Sequence, residues 1–155
     1  LESYPSLTYV VAGDGQQRAN LEALAANVGV DDSVEFLGYV PDEDLPSLYN
    51  AADVFAMPNR REGTSVEGFG IVFLEANATG TPVVGGRHGG VTDAVVDGET
   101  GYLVNPNDPD AVADAIDRLL ADDDLRRSLG KAGRERVLDS HTWDDVGPEL
   151  RSILI

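Results

Sequence analysis

Apolar positions along the chain fall into two alternating rhythms. Residues 7–12 (LTYVVA) form a short β-rich run closed by Gly13-Asp14-Gly15. Leu21, Leu24, Ala25 and Val28 then recur at helical spacing until Gly29, which predicts a helix with one buried stripe. Residues 34–37 (VEFL) predict a second strand, 41–50 a short helix opened by Pro41-Asp42-Glu43, and 53–57 (DVFAM) a third strand stopped by Pro58. Beyond a polar loop over 59–66, residues 68–79 predict a helix ended by Gly80. A fourth strand over 82–84 enters the stretch Gly85-Gly86-Arg87-His88-Gly89-Gly90. A short helix over 92–95 and a turn at Asp97-Gly98 lead to a fifth strand, 101–104. Asp108-Pro109-Asp110 is a helix start, with an acidic N-cap, proline at the first position and a second acid in the first turn. Val112, Ala115, Ile116 and Leu119 supply its buried stripe, and helices over about 124–138 and 142–154 complete the pattern.

Strand and helix alternate through short loops, which predicts a Rossmann-like α/β fold: a parallel sheet with helices on both faces. The strands are short and nearly all apolar, as buried parallel strands are. Ligands of such sheets bind beyond the carboxyl ends of the strands. Those ends carry Gly13, Gly38, Pro58 and Gly85. With 155 residues, one domain (1–155) is expected. No window approaches the roughly 18 apolar residues a membrane span needs, and no signal-peptide pattern opens the chain. Its start without Met, just before a strand, points to a fragment of something longer.

Charge narrows the partners. Twenty-eight acidic residues face 11 basic ones, of which one is Lys (Lys131), for a net charge of −17. Such a surface repels phosphate backbones, so nucleic acid is not an expected partner. Acids dispersed over every predicted helix and turn, with almost no lysine, are what a high-salt cytoplasm favours, where screening removes their mutual repulsion. Absence of cysteine excludes disulfides and thiolate chemistry, and two histidines without cysteine make a zinc site improbable. Asp122-Asp123-Asp124 lies between two predicted helices and reads as capping acid rather than a metal site.

The segment richest in chemistry is Glu67-Gly68-Phe69-Gly70-Ile71-Val72-Phe73-Leu74-Glu75-Ala76. Glu75 directly follows an apolar run and is expected to be buried, where a carboxylate needs hydrogen-bond partners. Two adjacent ribose hydroxyls would satisfy it. Gly68 and Gly70 allow close approach to the backbone, and the N–H groups of Gly68, Phe69, Gly70 and Ile71 form an anion site at a helix start, suited to a diphosphate. At ~1.5 Å per residue a continuous helix would set the two acids about 12 Å apart. A nucleoside diphosphate sugar fits that span. Two surface glutamates eight apart are the plain alternative.

This segment resembles the E-x7-E motif of retaining GT-B glycosyltransferases of the family-4 type. The likeness extends through Gly13-Asp14-Gly15, Phe36-Leu37-Gly38-Tyr39-Val40, Ala52-Asp53-Val54-Phe55, Gly80-Thr81-Pro82-Val83-Val84, Gly89-Gly90 and Asp97-Gly98-Glu99-Thr100-Gly101, in order, over about 7–120, and His141-Thr142-Trp143 is similar to an aromatic element near the family's C-terminus. The resemblance implies a C-terminal donor-binding lobe lacking its first strand and helix. It gives Glu75 the donor ribose, Glu67 the sugar, the amides of 68–71 the diphosphate, and Val40 and Asp42 the edge of the base. It implies retention of configuration, no metal and no cofactor beyond the donor. The loop over 59–66 is similar to that of bacterial phosphatidylinositol mannosyltransferases, so GDP-mannose or a UDP-sugar is the expected donor. A glycan or lipid acceptor, bound by an absent lobe, and a cytoplasmic location at the inner membrane face follow from the same likeness.

Other readings stay open at this point. A nucleotide-sugar epimerase of the same architecture needs a fuller set of acid and base groups. A pyridoxal-phosphate-dependent phosphorylase lobe needs a lysine at the site, and Lys131 lies in a late helix. A non-catalytic nucleotide-binding or scaffold domain is the third. Gly13-x-Gly15 lacks the third glycine of a dinucleotide fingerprint, because Arg18 stands there, and reads more simply as a tight turn. Arg60, Arg61, Arg87 and His88 are further candidates for phosphate or acceptor contact, with solvated or packed loop residues as the alternative.

Overall fold

The computed structural model describes residues 4–59 and 70–142. Two compact units divide the chain, one running to Leu45 and the other starting at Pro46.

The first unit holds β1 (Tyr9–Ala12), α1 (Arg18–Val28) and β2 (Val34–Gly38). β1 and β2 pair in parallel, with Tyr9 opposite Val34 and Val11 opposite Phe36. The turn between β1 and α1 is tight: Gly13 donates to the Gly38 carbonyl (2.7 Å), Asp14 Oδ1 accepts the Gly15 N–H (2.9 Å) and Arg18 N–H reaches the Gly15 carbonyl. Arg18 then folds back, its Nε on Glu22 (2.9 Å) and a second nitrogen on the Phe36 carbonyl (3.1 Å). Gly13-Asp14-Gly15 is therefore a local turn. Gly29 ends α1 in the left-handed region (φ 72°). The stripe expected to be buried in α1 is not: Ala25 is buried, while Leu21, Leu24 and Val28 are exposed. A sheet of two short strands offers too little surface to cover the face of an 11-residue helix.

The second unit contains α2 (Leu45–Ala51), β3 (Phe55–Met57), α3 (Ile71–Ala78), β4 (Val83–Gly86), α4 (Val91–Ala94), β5 (Gly101–Val104), α5 (Pro109–Ala121) and α6 (Asp123–Ser140). Its sheet is parallel in the order β3-β4-β5. The expected parallel strands thus form two sheets of two and three strands. β4 is central and buried at all four positions, as its unbroken apolar sequence requires. Val84 packs with Val104, Leu119 and Leu129, joined by the α5 stripe Val112, Ala115 and Ile116. Phe73 and Val83 are wholly buried as well.

The helix starts behave as their chemistry dictates. Asp108 Oδ1 accepts the Asp110 and Ala111 amides, with Pro109 at the first position, and Asp122 Oδ1 accepts those of Asp124 and Leu125. Arg136 of α6 donates to the Ala94 and Asp93 carbonyls at the end of α4 (2.9 and 2.8 Å). Asn77 of α3 is fully buried and donates to the Thr81 and Thr100 carbonyls, which ties α3 to the entries of β4 and β5. The helix expected over 142–154 lies, but for Thr142, outside the described residues.

Candidate functional site

The carboxyl end of β4 meets the start of α3. Gly70 precedes that helix in the left-handed region (φ 73°), a conformation glycine adopts without steric cost. The helix expected from Gly68 therefore begins at Ile71, because a residue at positive φ cannot continue a right-handed helix. Close packing fixes the helix start on the sheet. A methyl group on Gly85 would come within 2.7 Å of Val91 and 3.1 Å of Phe73, and one on Gly86 would strike the Asn59 carbonyl.

Glu75 corrects a second expectation. It is exposed, whereas Phe73, Leu74, Ala76 and Asn77 around it are buried. Each helical residue turns about 100° from the last, so an apolar run in sequence does not carry its burial to the next position. Ile71, which is 55 % exposed, lies four residues earlier on the same face. Glu75 is nonetheless tethered: Tyr49 Oη donates to its Oε2 at 3.2 Å. Among the described residues no cation pairs with this carboxylate.

Tyr49 is the residue the sequence reading missed. It sits in the last turn of α2, only 6 % exposed. Its ring stacks edge-on against Phe55 of β3 (5.3 Å between centroids), and Phe55 in turn meets Phe73 of α3 (5.6 Å). Burial first, then the Glu75 charge and the hydrogen bond to it, push the phenol up to about 12. Tyr49 therefore stays a neutral donor at any physiological pH. An aromatic residue shortly before Ala52-Asp53 was the available signal, but nothing in sequence places its hydroxyl beside Glu75.

The other candidates fall as follows. Gly70 and Ile71 form the start of α3 with Glu75 one turn on, and first-turn amides of a helix have no acceptor within it. Glu67, Gly68, Phe69, Arg60 and Arg61 lie outside the described residues, as does Trp143. Val40 and Asp42 lie just after β2, in the first unit. Arg87 is committed to structure: it pairs with Asp97 and donates to the Leu103 carbonyl (2.7 Å). Partial burial works against ionisation of Asp97, but the Leu103 amide and the Arg87 guanidinium outweigh it and hold its carboxyl below the usual value. His88 Nε2 meets the Asn59 carbonyl, pinning the loop after β4 to a residue two positions beyond β3. Asp122 is a cap, and among the described residues no cluster of acids and histidines has the makings of a metal site. An open pocket lined by Asn50, Asp53, Thr81 and Arg126 lies at the opposite end of β3 and β4, with Arg126 already paired to Asp53 and Asp123.

Parallel strands joined through helices match the C-terminal lobe of GT-B glycosyltransferases. Sucrose-phosphate synthase from Thermosynechococcus elongatus superposes with a TM-score of 0.84 at 36 % identity, over 94 % of this chain and 37 % of that one. Anabaena HepE in complex with UDP-glucose superposes with a TM-score of 0.85 at 26 % identity, over 97 % of this chain and 41 % of the other. In sequence, a GDP-mannose-dependent alpha-(1-6)-phosphatidylinositol monomannoside mannosyltransferase of Mycolicibacterium smegmatis is 42 % identical over 152 residues, 97 % of this chain and 40 % of its own length. Residues 1–136 match the family described as glycosyl transferases group 1, and the chain belongs to that family. It spans about two-fifths of the length of the mannosyltransferase it matches.

Proposed function

We propose that this chain is the donor-binding part of a retaining hexosyltransferase, and that Glu75 receives the ribose hydroxyls of a nucleoside diphosphate sugar. The observation that carries this reading is the Glu75 carboxylate: exposed on α3, held at one oxygen by Tyr49, and unpaired with any cation among the described residues. One carboxylate can accept from two neighbouring hydroxyls. The diphosphate would lie at the helix start, on amides from Gly68 to Ile71, with Glu67 toward the sugar. Helix N-termini favour such anions.

Two donor classes are supported by relatives: GDP-mannose, named for the Mycolicibacterium protein, and UDP-glucose, bound in Anabaena HepE. The acceptor, a glycan or lipid, belongs to parts of the enzyme beyond these 155 residues, and transfer needs them. The role assigned here needs no metal, because backbone amides meet the diphosphate charge. A high-salt cytoplasm, with the full-length enzyme at the inner membrane face, is the setting we favour. No helix among the described residues is long and apolar enough to cross a membrane.

A thermal-shift screen of GDP-, UDP- and ADP-sugars at high salt tests the reading. At ten times Kd a ligand stabilises by about 1.4 kcal/mol, which raises Tm by about 3–6 °C in a domain of this size. One nucleotide class should give that shift, and Glu75→Ala should remove most of it. An unchanged shift in the variant would remove Glu75 from the donor site.

A further inference from the structure

Tyr49 has three anchors that leave its hydroxyl one task. Its main-chain carbonyl accepts the Thr81 hydroxyl at 2.7 Å, and the same carbonyl receives the Ala52 amide. Its ring is fixed edge-on by Phe55, itself wedged against Phe73 at the base of α3. The residue is nine-tenths buried, so its rotamer is set by packing rather than by solvent. What emerges from this frame is a single O–H aimed at Glu75 Oε2. Glu75 has a long exposed side chain whose rotamers would otherwise interconvert freely. Occupying Oε2 selects one of them and presents Oε1, which receives no hydrogen bond from the described residues, to whatever lies over α3.

We infer that Tyr49 is a positioning residue for donor recognition: its buried hydroxyl holds the Glu75 carboxylate in the rotamer that accepts the ribose hydroxyls, and so sets the preference for a ribonucleotide. This rests on the ribose role proposed for Glu75.

The test compares ribose with a sugar that lacks its hydroxyls. Calorimetric titrations of the 155-residue chain use GDP and UDP, each beside its 2′,3′-dideoxy counterpart. For the nucleotide that binds, the unsubstituted chain should prefer the ribose form by about tenfold, the value of one hydrogen bond to a charged group at the low end of its range. Glu75→Gln should erase most of that preference. Tyr49→Phe keeps the ring stack and should lower the preference roughly three- to tenfold while leaving the dideoxy affinity unchanged. A Tyr49→Phe chain that retains the full preference where Glu75→Gln loses it overturns the positioning role and leaves the Glu75 reading intact. Equal weakening of both nucleotide forms would show Tyr49 to be merely structural, which also overturns the inference. Absence of any ribose preference, or of any nucleotide binding, in the unsubstituted chain sinks both. A second measurement needs no variant. The Tyr49 ring ¹³Cζ resonance should move when the ribonucleotide is added and stay put with the dideoxy form, and identical responses would refute the coupling.

Discussion

A carboxylate is defined by what it touches, and the two best-placed acids here show opposite cases. Asp97 is spent on structure, one oxygen on the Leu103 amide (3.0 Å) and the other on Arg87. Its depressed pKa means that this stabilisation is present above the ordinary carboxyl value and lost as pH falls through the lower, folded one. Asp97→Asn should therefore cost about 1–2 kcal/mol near neutrality and flatten the acid limb of a stability-versus-pH curve. Urea titrations at several pH values measure both effects. Glu75 instead has one oxygen without a hydrogen bond from the described residues, and sequence alone pointed to this residue for the wrong reason. Leu74 and Ala76 beside it are buried, but the 100° step of the helix carries Glu75 out of the core. Its interest survives because of Tyr49, 26 positions earlier, which a reading confined to neighbouring residues does not reach.

Elements were legible where punctuation is chemical. Asp108-Pro109 fixed the start of α5, and the strand expected over 101–104 is β5, Gly101–Val104. The start of α3 was misplaced because Gly70 reads equally well as a helix entry or as a left-handed cap, and only the packing of Phe73 and Val91 around it decides. Glycines inside α6 carry information that sequence pattern conceals. Gly130 and Gly133 sit mid-helix, where alanine would gain about 1 kcal/mol by propensity. A methyl at Gly130 would collide with the Gly80 carbonyl, however, and one at Gly133 would lie 2.6 Å from the Asn77 side chain. A backbone carbonyl cannot rotate away, so the steric term wins. Gly130→Ala should lose a net ~2 kcal/mol and lower Tm by about 4–8 °C, readable by differential scanning calorimetry.

Across the whole molecule, charge is the dominant long-range term. A net −17 on 155 residues works against the folded state at low ionic strength. Near 1 M salt the screening length is about 3 Å, shorter than most separations between surface acids. Tm should therefore rise as sodium chloride increases from millimolar to molar, and a flat or falling profile would contradict the view that acid repulsion limits stability. That expectation follows from composition alone. The parallel pairing has its own consequence, which concerns how the fold is reached. Tyr9 must find Val34, Phe55 must find Val83 and Val83 must find Gly101, each across a helix rather than a tight hairpin. Chain entropy must be surrendered over these loops before the ladders return any bonding, and such non-local topologies assemble far more slowly than helical bundles. While that search lasts, strand edges destined for partners remain open to other chains, and the acids that strain the finished molecule keep those half-built ones apart.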